Sequence, residues 1–187
     1  MRTLICLALA ACTSATAAPP TKTDVRTVGT FHGLDIATVI DVDVTIGPTT
    51  RVELKGPSDW TAKISTNVTD GVLRIALPND ANHVPKLSAV ITVPDLTSVA
   101  VSGVAGVHVA KLAAKMFDVT ISGVGSVDLA GTADTLHVVV SGTGQLAAKD
   151  LGTSTTTLDV SGVGSVTILG KPAAIHKHVS GVAEIHD

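Results

Sequence analysis

The sequence predicts an all-β chain. Its expected form is a single-stranded, right-handed parallel β-helix, a β-solenoid with coils of about twenty residues and irregular N-terminal coils. Three observations lead there. A Ser-Gly motif recurs at Ser102, Ser122, Ser141, Ser161 and Ser180, at intervals of 20, 19, 20 and 19 residues. Around each motif apolar residues alternate with polar ones, as in Val119-x-Ile121 before it and Val127-x-Leu129 after it. That period of two is the period of a strand with one buried face. No stretch in this region has apolar residues at helical spacing.

Composition supports such an interior. Of 187 residues, 45% are hydrophobic, 16% charged and only 2% aromatic, with no Tyr. There is enough apolar material for a core, which argues against disorder. Val, Thr and Ala supply it, and small β-branched side chains suit a narrow, layered interior. The net charge of −3 and the lack of a basic or polybasic patch exclude an electrostatic footprint for nucleic acid or anionic lipid.

Taken in order, residues 1–18 read as a signal peptide. Arg2 is followed by an apolar run from Leu4 to Ala11 and by small residues with Ala15 and Ala17 in an A-x-A arrangement. The run is too short to span a bilayer. Leu9-Ala10-Ala11-Cys12 also resembles a lipobox, so a lipid anchor through Cys12 is the alternative to cleavage near Ala17 or Ala18. Both cysteines, Cys6 and Cys12, fall in this segment, so the exported chain is expected to carry no disulfide. Residues 19–30 are a linker and first strand, with the linker itself at 18–23. The domain then occupies 31–187. Its first part should form strands at 34–46, 52–55, 62–66, 72–77, 89–93 and 98–101. Turns are expected at Gly47-Pro48, Gly56-Pro57-Ser58, Asp70-Gly71 and Pro78-Asn79-Asp80, with Asp70-Gly71 as a hairpin signal.

From residue 98 onward each repeat should hold two short strands joined at a Ser-Gly corner, with neighbouring coils parallel. Gly103, Gly123, Gly142, Gly162 and Gly181 can take positive φ without steric cost, and the corner is expected to use that freedom. The second small position (Ala105, Gly125, Gly144, Gly164, Ala183) needs smallness rather than positive φ. The serines should form a column whose hydroxyls bond one another or the corner amides.

These residues carry a resemblance. Asp70-Gly71 followed by Val72-Leu73-Arg74-Ile75, the run from Ile91 to Gly103, and the Ser-Gly series resemble the auto-transporter adhesin head-GIN domain family. Phe31-His32-Gly33-Leu34 and the run from Asp41 to Gly47 resemble its opening strands. The resemblance covers residues 30–187. It implies an exported bacterial protein with a β-helix, and it supplies no catalytic residues to carry over.

Three constellations carry residue types that can do chemistry. His108 and Asp128 each stand six residues after a corner Ser, hence on adjacent rungs, where a His-Asp pair could order a ligand or titrate. His176 and His178 share a strand face, and His178 should lie one rung above Asp159. A metal is conceivable there, but an exposed polar cap on the last coil fits better, because Lys177 takes the place of Val99, Val119, Val138 and Leu158. Asp41 and Asp43 share the outer face of one strand, and paired carboxylates can hydrolyse glycosides. Asn67-Val68-Thr69 matches a glycosylation sequon. There is no G-x-S-x-G, phosphate loop or Cys-His pair.

No catalytic, cofactor-binding or metal-binding residue is therefore assigned. The expected function is that of an exported, non-catalytic adhesion-like or envelope surface-binding module. A structural or assembly role in the envelope is the alternative, and a carbohydrate-active enzyme ranks third. The expected ligand is a surface polysaccharide or envelope protein, with self-association through the solenoid ends. The expected location is the periplasm or the cell surface and outer membrane, with no transmembrane span.

Overall fold

The computed structural model describes residues 21–78, 84–170 and 172–186. The expected export signal at 1–18, with Cys12, and Asn79 and Asp80 of one expected turn lie outside the described residues. Fourteen strands and one helical turn follow in the order β1 (Thr21–Arg26), β2 (Gly33–Ala37), β3 (Val39–Ile46), β4 (Arg51–Pro57), α1 (Ser58–Thr61), β5 (Ser65–Thr69), β6 (Val72–Ala76), β7 (Ser88–Val93), β8 (Ser98–Val101), β9 (Val104–Ile121), β10 (Val124–Val140), β11 (Thr143–Val160), β12 (Val163–Ile168), β13 (Ala174–Val179) and β14 (Val182–His186). All fourteen strands belong to one sheet that bends around a shared core. The all-β expectation is met. No helix among the described residues is long and apolar enough to cross a membrane.

From residue 98 onward the chain stacks on itself at the repeat interval. Val99 pairs with Val119, Val119 with Val138, Val138 with Leu158, and Leu158 with Lys177, all in parallel. The inward columns are nearly dry: Val107, Val127, Leu146 and Val166 are each at most 2% exposed. Burying an aliphatic side chain of this size is worth ~1.5–3 kcal/mol, so each coil is held mainly by covering the one before it. The expected two short strands per repeat are instead joined. β9, β10 and β11 run through 17 or 18 residues each. They turn the distal corner without breaking the ladder, by local distortion. Lys111 has φ +59° and Gly131 φ +134°, and the pairing register slips beside Gly131.

The first half departs further from expectation. Here the coils are not consecutive in the chain. β2 and β3 lie between β6 and β7 on one side and β8 and β9 on the other, all in parallel. The chain thus leaves the β2–β3 coil, forms the coil below it, and returns to form the coil above. Antiparallel strands close the lower end: β5 on β6, β4 on β7, and β1 on β4. A strand covers an open coil edge best by occupying its hydrogen-bonding groups. β1 begins at Thr21, inside the segment read as linker. The strand expected at 62–66 is replaced by α1, a turn and β5. Pro57 fixes the backbone before α1, and Thr61 is buried and donates its hydroxyl to Ser58 O at 3.1 Å. Asp70-Gly71 is the expected hairpin turn, with both residues at positive φ between Thr69 and Val72.

The Ser-Gly corner works differently from the expectation. Among the described residues, left-handed backbone is confined to Asp70, Gly71, Lys111 and Gly131. The corner glycines are needed for close approach instead. A Cβ on Gly142 would overlap the carbonyl oxygen of Gly123, and one on Gly162 that of Gly142. Two successive corner amides donate to one carbonyl of the previous coil, as Ser141 N and Gly142 N do to Ile121 O at 2.9 and 3.1 Å. The next amide, Thr143 N, donates to Gly123 O at 2.9 Å. The corner amides are thereby occupied, and the hydroxyls turn to carbonyls: Ser102 Oγ lies 3.3 Å from Ile36 O and Ser122 Oγ 3.4 Å from Val101 O. The second small position bears out its reading. A Cβ on Gly144 would stand 2.9 Å from the Ile121 side chain, and no left-handed φ is involved.

Two predictions follow from packing. Gly142→Ala is expected to lower stability by about 1–3 kcal/mol, and Gly142→Asn by no less, although Asn tolerates left-handed backbone. Gly152→Ala, whose added carbon meets nothing nearer than 3.6 Å, should stay within about 0.5 kcal/mol. Denaturant midpoints of the three variants check this; a tolerated Asn at 142 would restore the conformational explanation. Thr156 is fully buried in the column of Phe117 and Leu136, and its hydroxyl has no partner. An unpaired buried hydroxyl costs about 1–3 kcal/mol. Thr156→Val should therefore raise the thermal midpoint, and an unchanged or lower value would show that the hydroxyl is satisfied.

Candidate functional site

The repeat places two outward ladders side by side. Two residues after each corner Ser stand Val104, Val124, Thr143, Val163 and Val182, and Val39 continues the row. Apolar side chains here stay in water: Val39, Val104, Val124 and Val163 are 45–54% exposed. Four residues after the Ser stand Gly106, Ser126, Gln145 and Ser165, and Asp41 pairs with Gly106. Between the ladders stand the inward residues Ile40, Ala105, Gly125, Gly144 and Gly164, small on every rung but the first, so the surface is recessed. The result is a groove of about 720 Å³ crossing β3, β9, β10, β11 and β12, with Val84 to Leu87 at one end. Its axis runs across the strands. Each of the central strands is already paired on both sides, so the groove offers few free backbone groups.

A second, polar recess of about 200 Å³ shares Asp41, Gly106 and Ser126 with this groove. It gathers Asp41, Asp43, His108 and Asp128. His108 and Asp128 are on adjacent rungs as expected. Asp43 pairs with His108 on the other side, giving an in-register row of Asp43, His108 and Asp128. The sequence places His108 with Asp128 and Asp41 with Asp43 as two separate candidates. The structure corrects that, because β3 is the rung before β9. Lys86 Nζ lies 3.9 Å from Asp41 Oδ2, both well exposed.

A third cluster was missed. His137 Nδ1 lies 3.2 Å from Asp118 Oδ1 and Nε2 3.4 Å from Asp159 Oδ2, so one imidazole ties three coils together. A neutral ring can donate to only one of these carboxylates, a protonated ring to both. His178 does lie one rung beyond Asp159, and His176 pairs with Thr157. No group of three such side chains among the described residues has a metal-binding arrangement. Lys177 occupies the column of Leu158 and is exposed. Asn67 of the sequon is exposed in the middle of β5.

The valine ladder was legible in principle. Val107 and Val109 point inward, so Ala105 does too, and Val104 must face out. His137 was harder to find, since it and Asp118 stand four residues before a corner Ser while Asp159 stands two before.

The architecture is that of an all-β domain built on one bent sheet, parallel from residue 98 onward, with an open groove along one side. A family model described as "Putative auto-transporter adhesin, head GIN domain" matches residues 30–186. The chain belongs to that family. A solved structure of a putative adhesin from Bacteroides fragilis is 22% identical, covers 90% of this chain and 97% of its own, and superposes with a TM-score of 0.71. Another, from Parabacteroides distasonis and described as a putative lipid binding protein, is 12% identical over 89% of this chain and 97% of its own, with a TM-score of 0.53. Both show the shared fold. No curated protein matches the sequence.

Asp43 and Asp128 are two strand spacings apart, about 9.5 Å at the backbone, a separation that glycosidase carboxylates can have. Yet Asp41 has a 61% exposed side chain, and the recess is small and open to solvent rather than an enclosed cleft around a sugar. The protein is therefore expected to turn over none of a broad polysaccharide panel, with or without calcium or zinc. Turnover that disappears in Asp41→Asn or Asp43→Asn would make this recess a catalytic centre.

Proposed function

We propose that the protein is an exported, non-catalytic binding module of the bacterial cell envelope, built as a right-handed β-solenoid, that takes its surface ligand in the groove along the valine ladder. The observation that carries this reading is the ladder itself. A solenoid could fill outward positions with Ser, Thr or Lys at no cost to the core. This one keeps valine in water at four of the five groove rungs, next to a recess. Contiguous exposed apolar surface rimmed by polar groups is the usual mark of an interaction site. The family's description as an adhesin head agrees with such a role. Residues 1–18 provide the export signal, and the module acts in the periplasm or at the cell surface, either released or held through Cys12.

A structural role in the envelope is the second reading, supported by the open edge of the last coil. Among the described residues β13 pairs only with β11 and β14 only with β12. Such an edge can receive another chain.

The two readings separate experimentally. Val124→Asp with Val163→Asp places charge in the groove and leaves the end coil untouched. On the binding-module reading, the double variant keeps its thermal midpoint but is no longer retained by washed bacterial envelopes that retain the parent protein. Equal retention of both would remove the groove from the function.

A further inference from the structure

We infer that the groove and recess together bind a single-chain amphiphile, an aliphatic tail along the valine ladder and an ammonium head among Asp41, Asp43 and Asp128. This deepens the reading of the groove as the binding surface and rests on it.

The tail is argued from what the groove lacks. A glycan is usually held on aromatic platforms, and none of the described residues lining the groove is aromatic, although Ser126, Gln145 and Ser165 offer polar groups along one wall. An extended peptide needs strand edges to satisfy its backbone, and the groove runs across strands that already pair on both sides. A peptide laid there would have its amides and carbonyls desolvated without partners, at a cost of about 1–3 kcal/mol each. An alkyl chain has no such groups. It gains about 0.8 kcal/mol per buried methylene, and Val39, Val104, Val124 and Val163 offer methyl groups at each rung but one. The five rungs are four strand spacings, about 19 Å in length. The hydrocarbon core of a bilayer is about 30 Å thick, so one leaflet's acyl chain, about 15 Å, fits within this length with a little less than one rung left over.

The head is argued from charge. The groove opens, through Asp41, Gly106 and Ser126, into the recess that holds Asp41, Asp43, His108 and Asp128. Its three carboxylates, Asp41, Asp43 and Asp128, outnumber the lysine and arginine groups that the described residues bring to it. Lys86 offsets part of this at Asp41, where both groups are exposed and the pair is weak. An ammonium group satisfies the remaining carboxylates, whereas a sulfate or carboxylate head meets repulsion. The apolar and acidic surfaces are contiguous, and an amphiphile of this polarity matches both at once.

The test uses the purified protein titrated, below micelle formation, with tetradecyltrimethylammonium, hexyltrimethylammonium and tetradecyl sulfate. Isothermal calorimetry gives stoichiometry, and amide shifts locate the site. The long ammonium probe should bind one to one, at least about tenfold more tightly than either other probe, and move the amides of Val104, Val124 and Ser126. Thr143→Val completes the ladder almost isosterically and should tighten binding about threefold. Asp43→Asn with Asp128→Asn should reduce the preference for ammonium over sulfate and leave the chain-length dependence intact. Affinity independent of chain length, a Thr143→Val variant no tighter than the parent, or an undiminished charge preference in the double Asn variant would each overturn the assignment. So would tighter binding of an extended Val-Lys peptide at the same amides. If the amphiphiles fail while Val124→Asp with Val163→Asp still abolishes envelope retention, the groove stands as a binding surface for a ligand of other chemistry.

Discussion

Everything regular in this molecule depends on the contact between a corner glycine and the carbonyl of the corner glycine one coil earlier. The contact is closer than any side chain permits. It lets three successive amides of one corner reach the coil below, two of them on a single carbonyl oxygen. Corners held this tightly set the register of both strands that leave them. A register slip of one residue would turn every inward valine outward. Here the corner contacts fix the register where each coil begins, and the slips fall later in the coil, at the far corner. The near absence of aromatic residues follows from the same constraint, because the stacked coils leave an interior that small aliphatic side chains fill in columns.

Much of this was legible from the period. The spacing of the five serines predicts which residues lie one above another, and the pairings of Val99 through Lys177 and of His108 with Asp128 follow it. The period could not say how the glycine acts. Positive φ and close approach both call for glycine, and only the positions of atoms in the neighbouring coil separate them. The first half was less legible because its order in space is not its order in sequence. The β2–β3 coil joins its neighbours through partners fifty or more residues away on one side, as with Leu34 and Val99. Nothing in the local pattern of 34–46 announces which coil will cover it. α1 was hidden in a Gly-Pro-Ser stretch that reads equally as a turn.

The candidate site was half legible for the same reason. His108 and Asp128 sit inside the repeat and could be aligned, whereas Asp43 sits outside it and could not be added to their row. The valine ladder shows the opposite failure. Its residues are in plain view, but hydrophobicity suggests burial, and only strand parity counted from the corner shows that they face water. In such a fold the columns that obey the inside-outside rule are explained by stability alone, and only those that break it call for another reason.

The coil is also a unit of length. Each one adds a strand spacing to the stack and one rung to the groove, and the corner that joins it to the next is nearly the same everywhere. Duplication or loss of a segment of 19 or 20 residues between two corners would lengthen or shorten the groove by about 4.8 Å and leave the remaining rungs in place. The fold is thus a ruler whose graduations can be added or removed singly, and, with the groove as the proposed binding surface, chains of different coil number would measure ligands of different length with the same chemistry at every mark.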